Sequence, residues 1–169
     1  MRFLSKVKMI GTLTIHVREA KTGRIVRTVI KENTITYDAG DVLRALLAQR
    51  ATDPAAANLS LASMRFGTSN TAPTRSDTDL LAEVAAVRKQ LLDINKTDGI
   101  TGEITFQATL GTADGNGSTF QEAGLFTRGS TWNDDVGGSL LMFSRQVHSP
   151  IPKTSGFSLD YDWTIQFTT

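Results

Sequence analysis

Apolar and polar residues alternate along much of this chain, most regularly in its first and last segments. In Met9–Arg18, Leu13, Ile15 and Val17 occupy one phase and Thr12, Thr14 and His16 the other. Successive strand side chains point to opposite faces, so a period of two predicts a half-buried strand. Lys21-Thr22-Gly23 supplies a turn, and the β-branched run Ile25–Ile30 returns as the partner, predicting a hairpin over 9–33. A hairpin alone is not stable, so this one needs a surface to lie on. The final segment repeats the pattern with larger side chains: Leu159, Tyr161, Trp163, Ile165 and Phe167 against Asp160, Asp162, Thr164 and Gln166. That stripe belongs over a core.

Between these segments Ile104, Phe106, Ala108 and Leu110 alternate with Thr105, Gln107 and Thr109. Further strands are predicted at Leu59–Gly67, Phe120–Thr127 and Leu140–Val147. The period changes over residues 38–49, where Val42, Leu43, Leu46 and Leu47 share one helical face. Asp38 is placed to cap that helix, and Asp41 stands near the positive end of its dipole. Leu80–Val84 reads as one helical turn, whereas Arg50–Asn58, Thr68–Asp79 and Gly111–Gly117 are loops by composition. The whole predicts a mainly β fold, an antiparallel β-sandwich of jelly-roll type with one amphipathic helix near residues 38–49. A single domain over 1–169 is expected, with the hairpin at 9–33, the helix at 38–49 and the main sheet strands and loops at 59–169.

The second strand of the hairpin is apolar on both sides, Ile25 and Val29 in one phase, Val26 and Ile30 in the other. Such a strand either meets a partner or is buried between sheet and helix, and the pattern leaves both open. Trp132 lies in a polar loop, where an indole either anchors a contact or folds back on its own domain. The interface candidates are therefore Ile25, Val26, Val29, Ile30 and Trp132.

Composition narrows the chemistry. With 169 residues, 40% hydrophobic and 21% charged, the chain can bury a full core. Eighteen basic against 17 acidic residues leave a net charge of +1, no field to draw a nucleic acid. No stretch approaches the ~20 apolar residues that span a bilayer, and Met1–Lys8 lacks the apolar run of a signal peptide. No nucleic-acid or membrane partner is expected. The absence of cysteine excludes disulfides and thiolate chemistry.

Catalytic constellations are not apparent in the sequence. Of two histidines, His16 falls on the polar phase of its strand, and His148 precedes a Ser149 with no nucleophile-elbow glycines around it. Asp160 and Asp162 share a strand face as a carboxylate pair might, but they alternate with core residues and should face solvent or a partner. Asp114-Gly-Asn116-Gly-Ser118 spaces oxygens like the start of a calcium loop, without the glutamate that would complete it. The expectation is no enzyme, no cofactor and no metal.

Four stretches, taken in order, carry a resemblance. They are Asn33-Thr-Ile-Thr-Tyr-Asp38-Ala-Gly40 before the helix; Met64-Arg-Phe-Gly67 running into Thr68–Leu80; Glu122-Ala-Gly124-Leu-Phe126; and Leu141-Met-Phe-Ser-Arg145 through Pro152-Lys-Thr-Ser155, closed by Asp162–Phe167. Together they resemble a family of small virion structural proteins of tailed bacteriophages, tail-collar, fibre-associated or decoration-type β domains. The resemblance implies assembly with other virion proteins and with copies of itself in a symmetric homo-oligomer, in a virion built in the host bacterial cytoplasm. The expected role is an adaptor or fibre-associated subunit of the tail, collar or baseplate; the alternative is a head (capsid) decoration protein. A carbohydrate-binding host-recognition module is a third reading, for which only Trp132 and Tyr37 remain as stacking residues.

Overall fold

A computed structural model of the chain describes residues 8–48, 60–91, 93–97, 102–127 and 140–168, with residues 44–48 and 93–97 described by backbone alone. The strands are β1 (Lys8–Glu19), β2 (Ile25–Ile35), β3 (Leu61–Gly67), β4 (Lys89–Gln90), β5 (Asp93–Thr97), β6 (Glu103–Leu110), β7 (Thr119–Thr127), β8 (Met142–Pro152) and β9 (Phe157–Thr168), with helix α1 (Tyr37–Ala48) after β2. They join in one antiparallel series, β4-β3-β7-β8-β2-β1-β9-β6-β5. The two strands at the ends of this series are consecutive in sequence, so the sheet curls round on itself towards a closed barrel.

The predicted stripes form its interior. Leu13 and Ile15 of β1, Leu159, Tyr161, Trp163 and Ile165 of β9, and Phe106, Ala108 and Leu110 of β6 line one leaf. Met64, Phe66, Phe120, Ala123, Leu125 and Ile151 line the other. The leaves meet where Phe66 of β3 packs on Tyr161 of β9, ring centroids 4.6 Å apart. The turn at β2 couples them: most of β2 pairs with β1, whereas Thr34 and Ile35 pair with Arg145 and Ser144 of β8. The chain is thus mainly antiparallel β, sandwich-like, with one helix.

The helix begins at Tyr37, so Asp38 stands inside its first turn and not before it. The hinge into the helix is held by Thr36, whose hydroxyl donates to the carbonyls of Met142 and Phe143 and whose amide donates to Phe143 O. Ala39 and Val42 are buried, and the helix packs on β8. The side chains of Leu46 and Leu47 lie outside the described residues.

Four elements differ from the sequence pattern. Leu80–Val84 is not a helical turn: Glu83 bridges to Gly67, and a short 3-10 turn follows at Ala85–Val87. β4 and β5 form where no alternation was read, on short, charge-rich stretches at the ends of the sheet. Finally, β8 continues past Val147 through Pro150 to Pro152. Beyond residue 145 one edge of β8 has no strand partner among the described residues, and there proline's missing N–H leaves no ladder bond unmade.

Candidate functional site

On the outer face of the β3-β7-β8 leaf lies a set of charged side chains that the fold buries. Glu122 of β7 and Arg145 of β8 are both fully inaccessible. Arg145 donates to Glu122 Oε2 from Nε at 3.0 Å and from Nη2 at 2.7 Å. Its Nη1 donates to Asp77 Oδ2 at 2.8 Å, and Nη2 also reaches Thr71 O at 3.2 Å. Glu122 Oε1 accepts the amides of Ala82 at 2.7 Å and Ser69 at 3.4 Å, and Oε2 also accepts that of Leu81 at 3.3 Å.

Water is excluded because the Thr68–Ala82 loop covers this face. Its neck is closed by Thr68 N–H to Ala82 O and Val84 N–H to Phe66 O, both 2.9 Å, and its far side by Tyr37 N–H to Arg75 O at 2.8 Å. Leu80 descends onto Phe126 and Met142 in a second, small apolar cluster. Two glycines allow this approach. A Cβ on Gly67 would stand 2.5 Å from Ala82 O, and one on Gly124 would stand 2.9 Å from the Leu80 side chain. Within the loop, Thr74 donates to Asp77 from its hydroxyl at 2.6 Å and its amide at 2.9 Å. Burial pushes the Asp77 carboxyl upward, but the Thr74 bonds and the Arg145 charge outweigh it and hold it below the ordinary carboxylate range. Beside this network Glu83 is gripped bidentately by Arg88, at 2.6 and 2.7 Å, with the Arg65 guanidinium lying 4.5 Å over the Phe126 ring.

These contacts unite stretches far apart in sequence: the Gly67–Leu80 loop, the Glu122–Phe126 strand and Arg145 form one fastening. Sequence periodicity did not bring Glu122 and Arg145 together: each shares a period-two phase with apolar neighbours, and the bulges at Phe120/Glu122 and Leu125/Phe126 break that phase. The available signal was glycine within strands, at 67 and 124, which marks close approach of other chain.

The residues singled out for chemistry are otherwise engaged. Asp160 and Asp162 lie on the opposite outer face, beside a polar cleft of about 310 Å³ that His16, Arg18 and Gln107 also line. Asp160 accepts from Arg18 and from Thr109, Asp162 from Gln107 at 2.8 Å, and His16 contacts Thr28. His148 is buried, its Nδ1 donating to Ser149 O at 2.9 Å, whereas Ser149 Oγ accepts from Arg27. Burial pushes the His148 imidazole below the usual histidine range and the Arg27 and Lys31 charges act the same way, against the opposing bond to Ser149. In the Gly111–Gly117 loop, Asp114 accepts from Gly111 N–H and pairs with Lys89 at 2.8 Å, and Asn116 accepts from Lys153. No group of three or more potential metal ligands occurs among the described residues.

Of the interface candidates, Val29 is 7% exposed and packs inward beside Ile15 in the core. Ile25, Val26 and Ile30 are 40%, 45% and 64% exposed. Trp132 lies outside the described residues. Tyr37 is exposed, with the Arg75 guanidinium 5.0 Å from its ring centre. No helix among the described residues is long and apolar enough to cross a membrane. Set beside known proteins, the chain matches no family model, no curated protein and no solved structure.

Proposed function

We propose that this protein is a non-enzymatic virion structural protein of a tailed bacteriophage, an adaptor or fibre-associated subunit of the tail, collar or baseplate region. Its partners in this reading are other virion proteins and further copies of itself. Support comes from the use to which the buried chemistry is put. Glu122, Arg145 and Asp77, which sit in the stretches carrying the resemblance, hold a loop onto a sheet. A rigid β body with a fastened loop suits repeated packing in a symmetric particle.

Immunogold electron microscopy of phage particles that encode the chain tests this. Label at the tail, collar or baseplate is expected; label over the head selects the decoration alternative. Particles free of the protein, from cells that make it in quantity, refute both.

A further inference from the structure

Among the described residues, hydrogen bonds join β2 to β8 at the two ends of their shared seam and not between. At one end Thr34 and Ile35 pair with Arg145 and Ser144, whereas residues 25–33 have no strand partner on that side. At the other end the Arg27 side chain spans the seam. It donates from Nη2 to Ser149 Oγ at 2.7 Å and from Nη1 to Pro150 O at 3.0 Å. Beneath the seam lie Val29, packed inward beside Ile15, and His148, whose ring centre is 6.3 Å from that of Tyr161.

His148 is 3% exposed and neutral in this position. Its Nδ1 donates to Ser149 O, so the lone pair is on Nε2, which is buried without a partner among the described residues. The charges that face it are Arg27 and Lys31 from β2 and Glu122 from β7. Glu122 is committed to Arg145 on the far side of the sheet, and β9 offers only the neutral Tyr161 phenol. A proton on Nε2 therefore adds a third cation beside two, in a place that water does not reach. Ser149 couples the two elements, its carbonyl holding His148 and its hydroxyl holding Arg27.

We propose that the β2–β8 seam is a gate opened by acid, with His148 the trigger and Arg27 the latch. Opening parts residues 25–33 from β8, keeps the β1–β2 ladder, and lets water reach His148 and Val29. β2 can yield because its free side is tied only through Arg27 along this stretch, and the turn behind it at Lys21–Arg24 is exposed. In the open form the imidazole titrates near its ordinary value of about 6.5, and in the closed form below it. The closed seam is therefore fully favoured above about pH 6.5. Below that value the open fraction grows by up to about tenfold per pH unit, until the closed form also takes the proton.

Cysteine labelling of the full chain tests the gate, since the chain has no cysteine of its own. Val29→Cys reports the seam, and Ala108→Cys, on β6 and 1% exposed, reports unfolding of the whole domain. Lys21→Cys, at the exposed hairpin tip, gives the intrinsic thiol rate. The probe is dithiodipyridine, which reacts with thiols in acid as well as at neutral pH. Relative to Lys21→Cys, labelling of Val29→Cys should rise by up to about tenfold per pH unit from about pH 6.5 to about pH 5. It should outpace Ala108→Cys by about tenfold or more, as a local opening does. His148→Phe should abolish the rise. Lys31→Glu, at an exposed position, sets a carboxylate beside the imidazolium and should reduce it. Arg27→Met should speed Val29→Cys labelling about three- to tenfold at about pH 7.5, through loss of its two bonds. Equal rates for Val29→Cys and Ala108→Cys overturn the proposal, because only whole-domain unfolding then exposes Val29. So does a rate independent of pH, a rise undiminished by His148→Phe or Lys31→Glu, or an Arg27→Met rate equal to the parent's. The gate rests on the seam alone, so its failure leaves the virion reading to be decided by particle labelling.

Discussion

Replacing Arg145 by methionine isolates the buried fastening. The substitution keeps an unbranched side chain of similar reach and removes the guanidinium that contacts both Glu122 and Asp77. Among the described residues Glu122 is then a fully inaccessible carboxylate held by backbone amides. Breaking a buried ion pair by removing one member costs about 3–5 kcal/mol, because the remaining charge stays desolvated. For a domain of this size each kcal/mol moves the melting temperature by about 2–4 °C, so a fall of about 6–20 °C is expected. Glu122→Leu should cost a similar amount. The pair together, Glu122→Leu/Arg145→Met, should lose less than the sum by about 2–3 kcal/mol, since neither charge is then stranded. Urea unfolding followed by the fluorescence of buried Trp163 measures all three. A local readout accompanies it: trypsin should cut after Arg75 faster in Arg145→Met, because the loop is no longer tied to the sheet at Thr71 and Asp77. A loss below about 1 kcal/mol for Arg145→Met, or additivity within about 0.5 kcal/mol, would refute the argument.

Gly67→Ala should destabilise by about 1–3 kcal/mol, because its Cβ would crowd Ala82 O and the Glu122 carboxylate, and it should raise cleavage at Arg75 as well. Gly11→Ala forces the same kind of collision in the other leaf, since the Asn33 side chain occupies the space above Gly11; Gly11→Ala/Asn33→Gly should recover part of the lost stability in the same urea assay. The His148 imidazole is held below the usual histidine range, so the unfolded chain takes up a proton near its ordinary value of about 6.5 while the folded chain resists. Stability should therefore fall as pH drops below about 6.5, and His148→Phe should flatten that limb; an unchanged slope would count against the assignment.

What the sequence revealed and what it hid follow from one physical distinction. Alternation exposes strands that are wet on one face, so β1, β6 and β9 were readable with their core residues. It located the strands of the β3-β7-β8 leaf but not that this leaf is covered on both faces, where bulges break the period around Glu122 and Arg145 and a remote loop removes the water. The two-residue β4 and neighbouring β5 have too little length and too much charge for a period to register. Val29 looked equivalent to Ile25 because the shift in register near Val17 separates strand phase from the face actually presented. Likewise β8 continued through Pro150 because an unpaired edge tolerates what a ladder does not. The chemistry was legible only as residue types, since pairing between positions 122 and 145, or 77 and 145, depends on topology.

The two longest strands, β1 and β9, are direct neighbours, with Lys8 opposite Thr168 and Glu19 opposite Phe157. A ribosome delivers the first of these well before the second. Until residues 157–168 emerge, the inward row of Leu13, Ile15 and Val17 has only its hairpin partner, and a greasy surface waits in the open. Contacts so distant along the chain close slowly. The β1–β9 ladder should consequently close only once residues 157–168 have emerged, and a nascent chain stalled before Phe157 should be the species that chaperones hold.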